Sequence, residues 1–347
     1  MGYYVGLDVS LKTTSVCVLN EQGKRALEGE VQTTPEEIHN FLNRSGCAIS
    51  QIGLESGNLT HYLKEGLLKL GYTVIGMESR KMAAILATLI NKTDKNDARG
   101  IAEALRVGHF RECVHRSNDA VEMRSLLHLR QSAVEERTHI ISSLRGHLKV
   151  YGIKFAKKAG KTFREVVEKA IEQLRPRVQK SVRSLLNILD TLNEEIKSMT
   201  EEIEDLARED EDIKLLCSVN GVGIITAVAF KSEVDDPKRF ENSRNVAAYI
   251  GLTPRQYSSG EVHRQGGISK KGSKRTRHLL VEAANSLLTR CKAWSKLKAW
   301  GMKLMKKKGN RKAIVAVARK LAVIMHRMLV TKKTFERGSE KKQAVAA

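Results

Sequence analysis

The chain has 347 residues and a formal net charge of +22, from 61 Lys and Arg against 39 Asp and Glu. That length carries two or three domains with cores of their own, and the charge points to a polyanionic partner. The longest apolar run, Met82 to Ile90, is far too short to span a bilayer. The start Met1-Gly2-Tyr3-Tyr4 lacks the basic and apolar segments of a signal peptide. Five scattered cysteines, never spaced Cys-x-x-Cys, argue against both a disulfide framework and a zinc site and fit a reducing cytoplasm.

The first hundred or so residues read as an α/β domain. Strands are expected over Tyr3–Val9, Thr14–Leu19, Ala26–Gln32, Gln51–Glu55 and Tyr72–Met77, the first three as consecutive hairpins. Thr34-Pro35-Glu36-Glu37 starts a helix, with Thr34 as N-cap and Pro35 at the first helical position. A second helix, near Leu59 to Leu70, stops at Gly71. Three hairpin strands, then helix, strand, helix, strand is the order of a ribonuclease-H-like sheet, which sets the first and fourth strands side by side at its centre. Asp8 ends the first of these strands and Glu55 the fourth. Asp94 and Asp97 open a helix and share a face.

In a strand alternate side chains share a face, so Gly6 lies behind Asp8 and Gly53 behind Glu55. Glycine there lets a helix or nucleic-acid backbone approach closely. Four converging carboxylates repel one another unless a cation joins them. Mg²⁺ prefers such hard oxygen ligands and keeps positions open for phosphate oxygens. Taken singly, each acid also reads as an ordinary strand-end, surface or first-turn residue.

From about Asn118 to Asp210 the pattern is helical. Val178, Val182, Leu185, Leu189, Leu192, Ile196, Met199, Ile203 and Leu206 form a heptad seam. Leu126, Leu129, Ala133, Ile140, Leu144 and Leu148 offer an antiparallel partner, and the same seam could close between two chains. From Lys214 the chain turns basic and mostly helical. Gly221-Val222-Gly223 between helical patterns reads either as a helix-hairpin-helix phosphate site or as a plain turn. Trp294 and Trp300 interleave with the later lysines as stacking surfaces or as core. The charged end reads as disordered.

Gly6-Leu7-Asp8-Val9-Ser10, Leu54-Glu55-Ser56-Gly57 and Lys92-Thr93-Asp94-Lys95-Asn96-Asp97-Ala98-Arg99 resemble the DEDD motifs of the IS110 family of insertion-sequence transposases. The N-terminal domain of that family is similar to the Holliday-junction resolvase RuvC. Val219-Asn220-Gly221-Val222-Gly223 resembles the family's proline-glycine-x-glycine element, with Asn220 in place of the usual proline. Ala247-Ala248-Tyr249-Ile250-Gly251-Leu252-Thr253-Pro254-Arg255-Gln256-Tyr257-Ser258-Ser259-Gly260 resembles its most distinctive block.

The resemblance implies a RuvC-like domain over residues 1–112, a helical coiled-coil region over 113–210, a C-terminal transposase domain over 211–330 and a tail over 331–347. It implies a transposase that cuts and rejoins donor and target DNA, with Asp8, Glu55, Asp94 and Asp97 holding two Mg²⁺ ions (Mn²⁺ as a substitute). Ser259 is the implied nucleophile, forming a phosphoserine link to DNA. From the residues alone Ser258-Ser259-Gly260 also reads as a turn, and Tyr257 and Ser258 are rival nucleophiles. Arg255, His263, Arg264, Lys270, Lys271, Lys274, Arg275 and Arg277 crowd around Ser259 in sequence and, with Gly221 and Gly223, are expected to contact nucleic acid. Further implications are a structured bridge RNA that pairs with both DNAs, a dimer of dimers drawing serine and metal site from different subunits, and a bacterial, nucleoid-associated location. A resolvase that hydrolyses DNA with water alone is the alternative.

Overall fold

Alternation of side chains along Tyr3–Val9 buries Val5 and Leu7 on one side and turns Gly6 and Asp8 to the other. This strand, β1, is the centre of a five-stranded sheet in a computed structural model that describes residues 2–87, 91–155, 163–259 and 262–336. The strands β2 (Thr13–Leu19) and β3 (Arg25–Gln32) continue from β1 as an antiparallel meander. On its other edge β1 pairs in parallel with β4 (Ile49–Glu55), which pairs in parallel with β5 (Val74–Met77), giving the order β3-β2-β1-β4-β5. The expected boundaries hold to within two residues.

Parallel neighbours require crossovers, supplied by α1 (Pro35–Asn43) and α2 (Thr60–Lys69). Thr34 caps α1 by accepting from Glu37 N, and Gly71 follows α2 at φ +89°. Both helices cover one face, where Ile38, Leu42, Leu63 and Leu67 pack on Val5, Leu7, Val16, Val18, Ile52 and Leu54. The opposite face takes α4 (Asp94–Arg106), reached through α3 (Ser79–Leu86). There Ala98 and Ala102 meet Cys17 and Leu19, and Ile101 and Leu105 pack with Met77 and Met82.

The chain divides into two compact units, Met1–Arg116 and Ser117–Ala347. In the second, α5 (Asn118–Leu148) and α7 (Pro176–Glu209) lie antiparallel, with the short α6 (Phe163–Ile171) between them in sequence. Arg130 Nε donates to Thr200 Oγ1 at 2.7 Å, while Leu144 and Leu148 share a cluster with Val182, Leu186 and Leu189. Val182, Leu189, Ile196 and Ile203 of the heptad seam are therefore buried within the chain itself. On α5 the expected Leu144 and Leu148 are buried and Leu126 and Ile140 pack against the cores, whereas Leu129 is 63% exposed and Met123 and Leu127 are buried in addition.

The second core is helical, built by α8 (Glu211–Cys217), α9 (Ile224–Val234), α10 (Ser243–Tyr249), α11 (Lys274–Thr289), α12 (Lys296–Lys308) and α13 (Asn310–Thr331) around Phe230, Leu287, Leu321 and Met325. Between α10 and α11 stands a two-stranded antiparallel hairpin, β6 (Pro254–Ser259) and β7 (Val262–Ile268). This hairpin was not expected from the sequence. Trp300 packs against the core with Lys320 Nζ 4.4 Å from its ring centroid, whereas Trp294 is exposed. Of the expected tail, Phe335 packs on the core, and residues 337–347 lie outside the described residues.

Candidate metal centre and nucleic-acid interface

The register of the sheet brings the first two acids together. Gly6 pairs with Gly53 and Leu7 with Leu54, so Asp8 and Glu55 stand one residue further on along neighbouring parallel strands. Both glycines turn toward α4. A Cβ on Gly6 would sit 2.1 Å from the carbonyl oxygen of Ala98 and 2.4 Å from the nitrogen of Ala102, so α4 rests on bare β1 backbone. That close approach delivers Asp97, one residue before Ala98, to the same face as Asp8. Thr93 caps the helix by accepting from Asn96 N, which fixes Asp94 and Asp97 in its first turn.

Electrostatics registers the convergence. The carboxyl of Asp8 is raised from 3.8 to about 6, first by burial and then by the charges of Asp97, Asp94 and Glu55, with Lys92 opposing. Asp97 is buried, and its Oδ1 has no hydrogen-bond partner. A buried carboxyl oxygen left without a partner is costly, and a cation would satisfy it. An open cleft of about 380 Å³ lies against Asp8 and Glu55, lined also by Ser10, Gly57, Asn58 and Thr60. Thr60 Oγ1 accepts from Gly57 N at 2.7 Å and donates to the Glu55 carbonyl at 3.2 Å, fixing the turn that follows Glu55. Among the described residues no three of the acids bring carboxylate oxygens within 4.8 Å of one another. All four acids offer oxygen donors, the kind a hard divalent ion takes.

Ser259 belongs to the second unit. It is exposed at the end of β6, paired with Val262 beside the hairpin tip, and Gly260 lies outside the described residues. Tyr257 is exposed on the same strand, opposite Arg264, and the backbone of His263 pairs with Ser258. The base of the hairpin is held by backbone packing. Gly251 (φ +78°) lies against Lys271, where a Cβ would come within 2.2 Å of its carbonyl oxygen, and Gly272 (φ +68°) lies equally close to Tyr249. Arg277 Nη1 donates to the carbonyls of Ile250 (2.8 Å) and Lys271 (2.9 Å), so this guanidinium braces the loop. Arg255, Arg264, Lys270, Lys271 and Lys274 are exposed.

Arg275 is different. It is partly buried, and its Nε, Nη1 and Nη2 are all buried without a hydrogen-bond partner. Its pKa is lowered by burial, with Arg130 and Arg124 adding to the effect against Glu135. Neither of those α5 arginines was singled out from the sequence, since they lie 145 and 151 residues from Arg275 and read as a helix surface. Gly221 (φ +87°) sits between α8 and α9 where a Cβ would meet Ala283 O at 2.7 Å, so its glycine is required by packing on α11. Gly223 is the N-cap of α9 and has open space around it.

Residues 5–153 match the family profile of the DEDD transposases of IS110 type, and residues 213–299 match the transposase IS116/IS110/IS902 family. The chain belongs to the IS110 family of transposases. It is similar to the transposase for insertion sequence element IS1111A of Coxiella burnetii, 29% identical over 96% of this chain and 92% of the relative. It is likewise similar to the transposase for insertion sequence element IS1328 of Yersinia enterocolitica, 27% identical over 92% of this chain and 94% of the relative. A shorter match of 30% identity reaches the pilin gene-inverting protein of Moraxella bovis, over 35% of this chain and 38% of that one. IS110 transposases cut and rejoin DNA, and their DEDD domain implies a divalent metal. Among the described residues no helix is long and apolar enough to cross a membrane.

Proposed function

We propose that this transposase exchanges donor and target DNA strands by phosphoryl transfer, with Asp8, Glu55, Asp94 and Asp97 as the Mg²⁺ site and Ser259 as the nucleophile. The observation that carries the reading is the joint pressure of three acids on the ionisation of Asp8, beside the unsatisfied Oδ1 of Asp97. The strand order, with two antiparallel strands on one side of β1 and two parallel strands on the other, supports a ribonuclease-H-like domain of RuvC type. A divalent ion bound there supplies Lewis-acid stabilisation of phosphate oxygens and activation of the attacking group.

In the transfer, the Ser259 oxygen bonds to phosphorus while the bond from phosphorus to a deoxyribose oxygen breaks. A base takes up the hydroxyl proton, and the released deoxyribose oxygen is protonated. Attack of a new strand end on the phosphoserine rejoins DNA by the same exchange, so bond energy is conserved without ATP. The exposure of Ser259 at a hairpin tip supports this role, because a nucleophile that meets duplex DNA must project from its own domain. Arg255, Arg264, Lys270, Lys271 and Lys274 hold phosphates, and Arg277 positions the loop that carries them. Arg275, with Arg124 and Arg130 near it, takes a further backbone phosphate that satisfies its donors.

Residues 113–210 act as an arm and 211–330 as the transposase domain. Exposed Leu129, Val150, Val166 and Ile188 on and beside the arm support assembly into a dimer of dimers. A bridge RNA supplies target choice, in keeping with the family resemblance and the charge of +22. The test combines the protein, its co-purified RNA, donor and target plasmids, and Mg²⁺, and counts recombinant junctions. Asp8→Ala and Glu55→Ala should give none. Junctions at the wild-type rate from either variant would end the metal-site reading. Failure to recover a discrete RNA species would end the guide reading.

A further inference from the structure

Helix α2 carries His61 and Glu65 one turn apart, on one side of the helix by the i, i+4 rule. His115 reaches them from the last residues of the N-terminal unit, which run along β5. Glu78 N donates to Arg111 O at 2.8 Å, Cys113 N donates to Gly76 O at 2.8 Å, and Met77 bridges Glu112. His115 Nε2 lies 2.6 Å from Glu65 Oε1, and the rings of His61 and His115 stack with centroids 5.1 Å apart and planes inclined by 19°. One potential ligand atom from each of the three residues lies within 4.8 Å of the other two.

A His115–Glu65 ion pair accounts for one of these contacts and leaves the rest unexplained. His61 Nδ1 is buried with no hydrogen-bond partner, which costs about 1–3 kcal/mol. A cation held among the three side chains gives that nitrogen a partner. The donor set, two nitrogens and one oxygen, is the borderline kind taken by Zn²⁺ with a water in the fourth position. It differs in kind from the all-oxygen set of Asp8, Glu55, Asp94 and Asp97. The scattered cysteines carry no information about it, since none is needed as a ligand.

We propose that His61, Glu65 and His115 bind one transition-metal ion of the Zn²⁺ class, which staples residues 111–116 to α2. The staple holds the strand-like exit of the N-terminal unit against β5, next to the turn of Gly57 to Thr60 that lines the acidic cleft. This proposal is independent of the strand-transfer chemistry.

Co²⁺ is a suitable probe, because its visible d–d bands are intense only in four-coordinate sites. The full chain is titrated in an Asp8→Asn, Asp97→Asn background, so that the acids do not compete. One Co²⁺ per chain should bind with intense bands, be displaced by Zn²⁺, and remain in excess Mg²⁺. His61→Ala and His115→Ala should each weaken binding by more than about a hundredfold, beyond the loss of a supporting hydrogen bond. Glu65→Gln should keep the stacked rings yet lose affinity. Circular dichroism of each variant without metal separates lost binding from lost fold, and Zn²⁺ should raise the melting temperature of the parent and not of a folded His115→Gln variant. Absence of the bands in the parent, or bands unchanged in the folded His61→Ala and His115→Gln variants, would overturn the assignment.

Discussion

Replacing Asp8 with Asn keeps the size of the side chain and removes one of four mutually repelling charges. The Asp8 carboxyl is raised from 3.8 to about 6, a difference of about 2 units, or about 3 kcal/mol at 1.36 kcal/mol per unit. Asp8 opens onto a solvent cleft, so screening reduces this to about 1–2 kcal/mol. The sign follows from linkage. A folded-state value above the unfolded one means that the folded protein binds the Asp8 proton more tightly. The corresponding stability is fully present below pH 3.8 and is lost as pH rises through about 6. At pH 7.5 in chelator, ionised Asp8 therefore opposes folding, and Asp8→Asn should stabilise the N-terminal unit by about 1–2 kcal/mol, or roughly 4–10 °C for a unit of this size. The gain should shrink toward zero below about pH 4, and millimolar Mg²⁺ should raise the wild-type transition and leave the variant's largely unmoved. Thermal melts of the full chain across pH, with and without Mg²⁺, make the measurement. A destabilised Asp8→Asn at pH 7.5, or a gain that persists unchanged at low pH, would refute the reasoning.

Gly6→Ala places a methyl 2.1 Å from the Ala98 carbonyl oxygen, so α4 must move outward. It should cost at least about 1–3 kcal/mol and weaken metal binding through displacement of Asp97, as read by melts and Mg²⁺ titration. Arg275→Met removes a buried guanidinium that lacks hydrogen-bond partners. It should stabilise the free protein by about 1–3 kcal/mol while weakening nucleic-acid binding and lowering the salt slope by about 1. A variant that loses both stability and affinity would mean that Arg275 is part of the core.

The N-terminal unit was readable because its signals are local. Thr34 is a cap with Pro35 at the first helical position, Gly71 is a stop, and Asp8 and Glu55 each end an alternating run with a glycine two residues behind. The register that sets Gly6 beside Gly53 follows once the strand order is known. The β6–β7 hairpin was hidden because Arg255, Tyr257, Ser259 and Arg264 stand among other polar residues and bury almost nothing. The helix pair was legible as a seam on α7 and, on α5, as Leu126, Ile140, Leu144 and Leu148, whereas the exposure of Leu129 and the burial of Met123 and Leu127 are set by three-dimensional packing. Distance in sequence concealed the two groupings that needed the fold: Arg275 near Arg124 and Arg130, and His115 on Glu65, separated by 50 residues.

The most direct measurement joins the two halves of the chemistry in one assay. Purified protein with its RNA and labelled donor DNA is denatured after reaction, and the DNA-linked peptide is identified by mass spectrometry. The account predicts a DNA adduct on Ser259 that forms with Mg²⁺, is absent in chelator, and is lost in Ser259→Ala and Asp8→Ala but kept in Tyr257→Phe. Cleavage without any covalent protein–DNA link, or an adduct that survives Ser259→Ala, would contradict it.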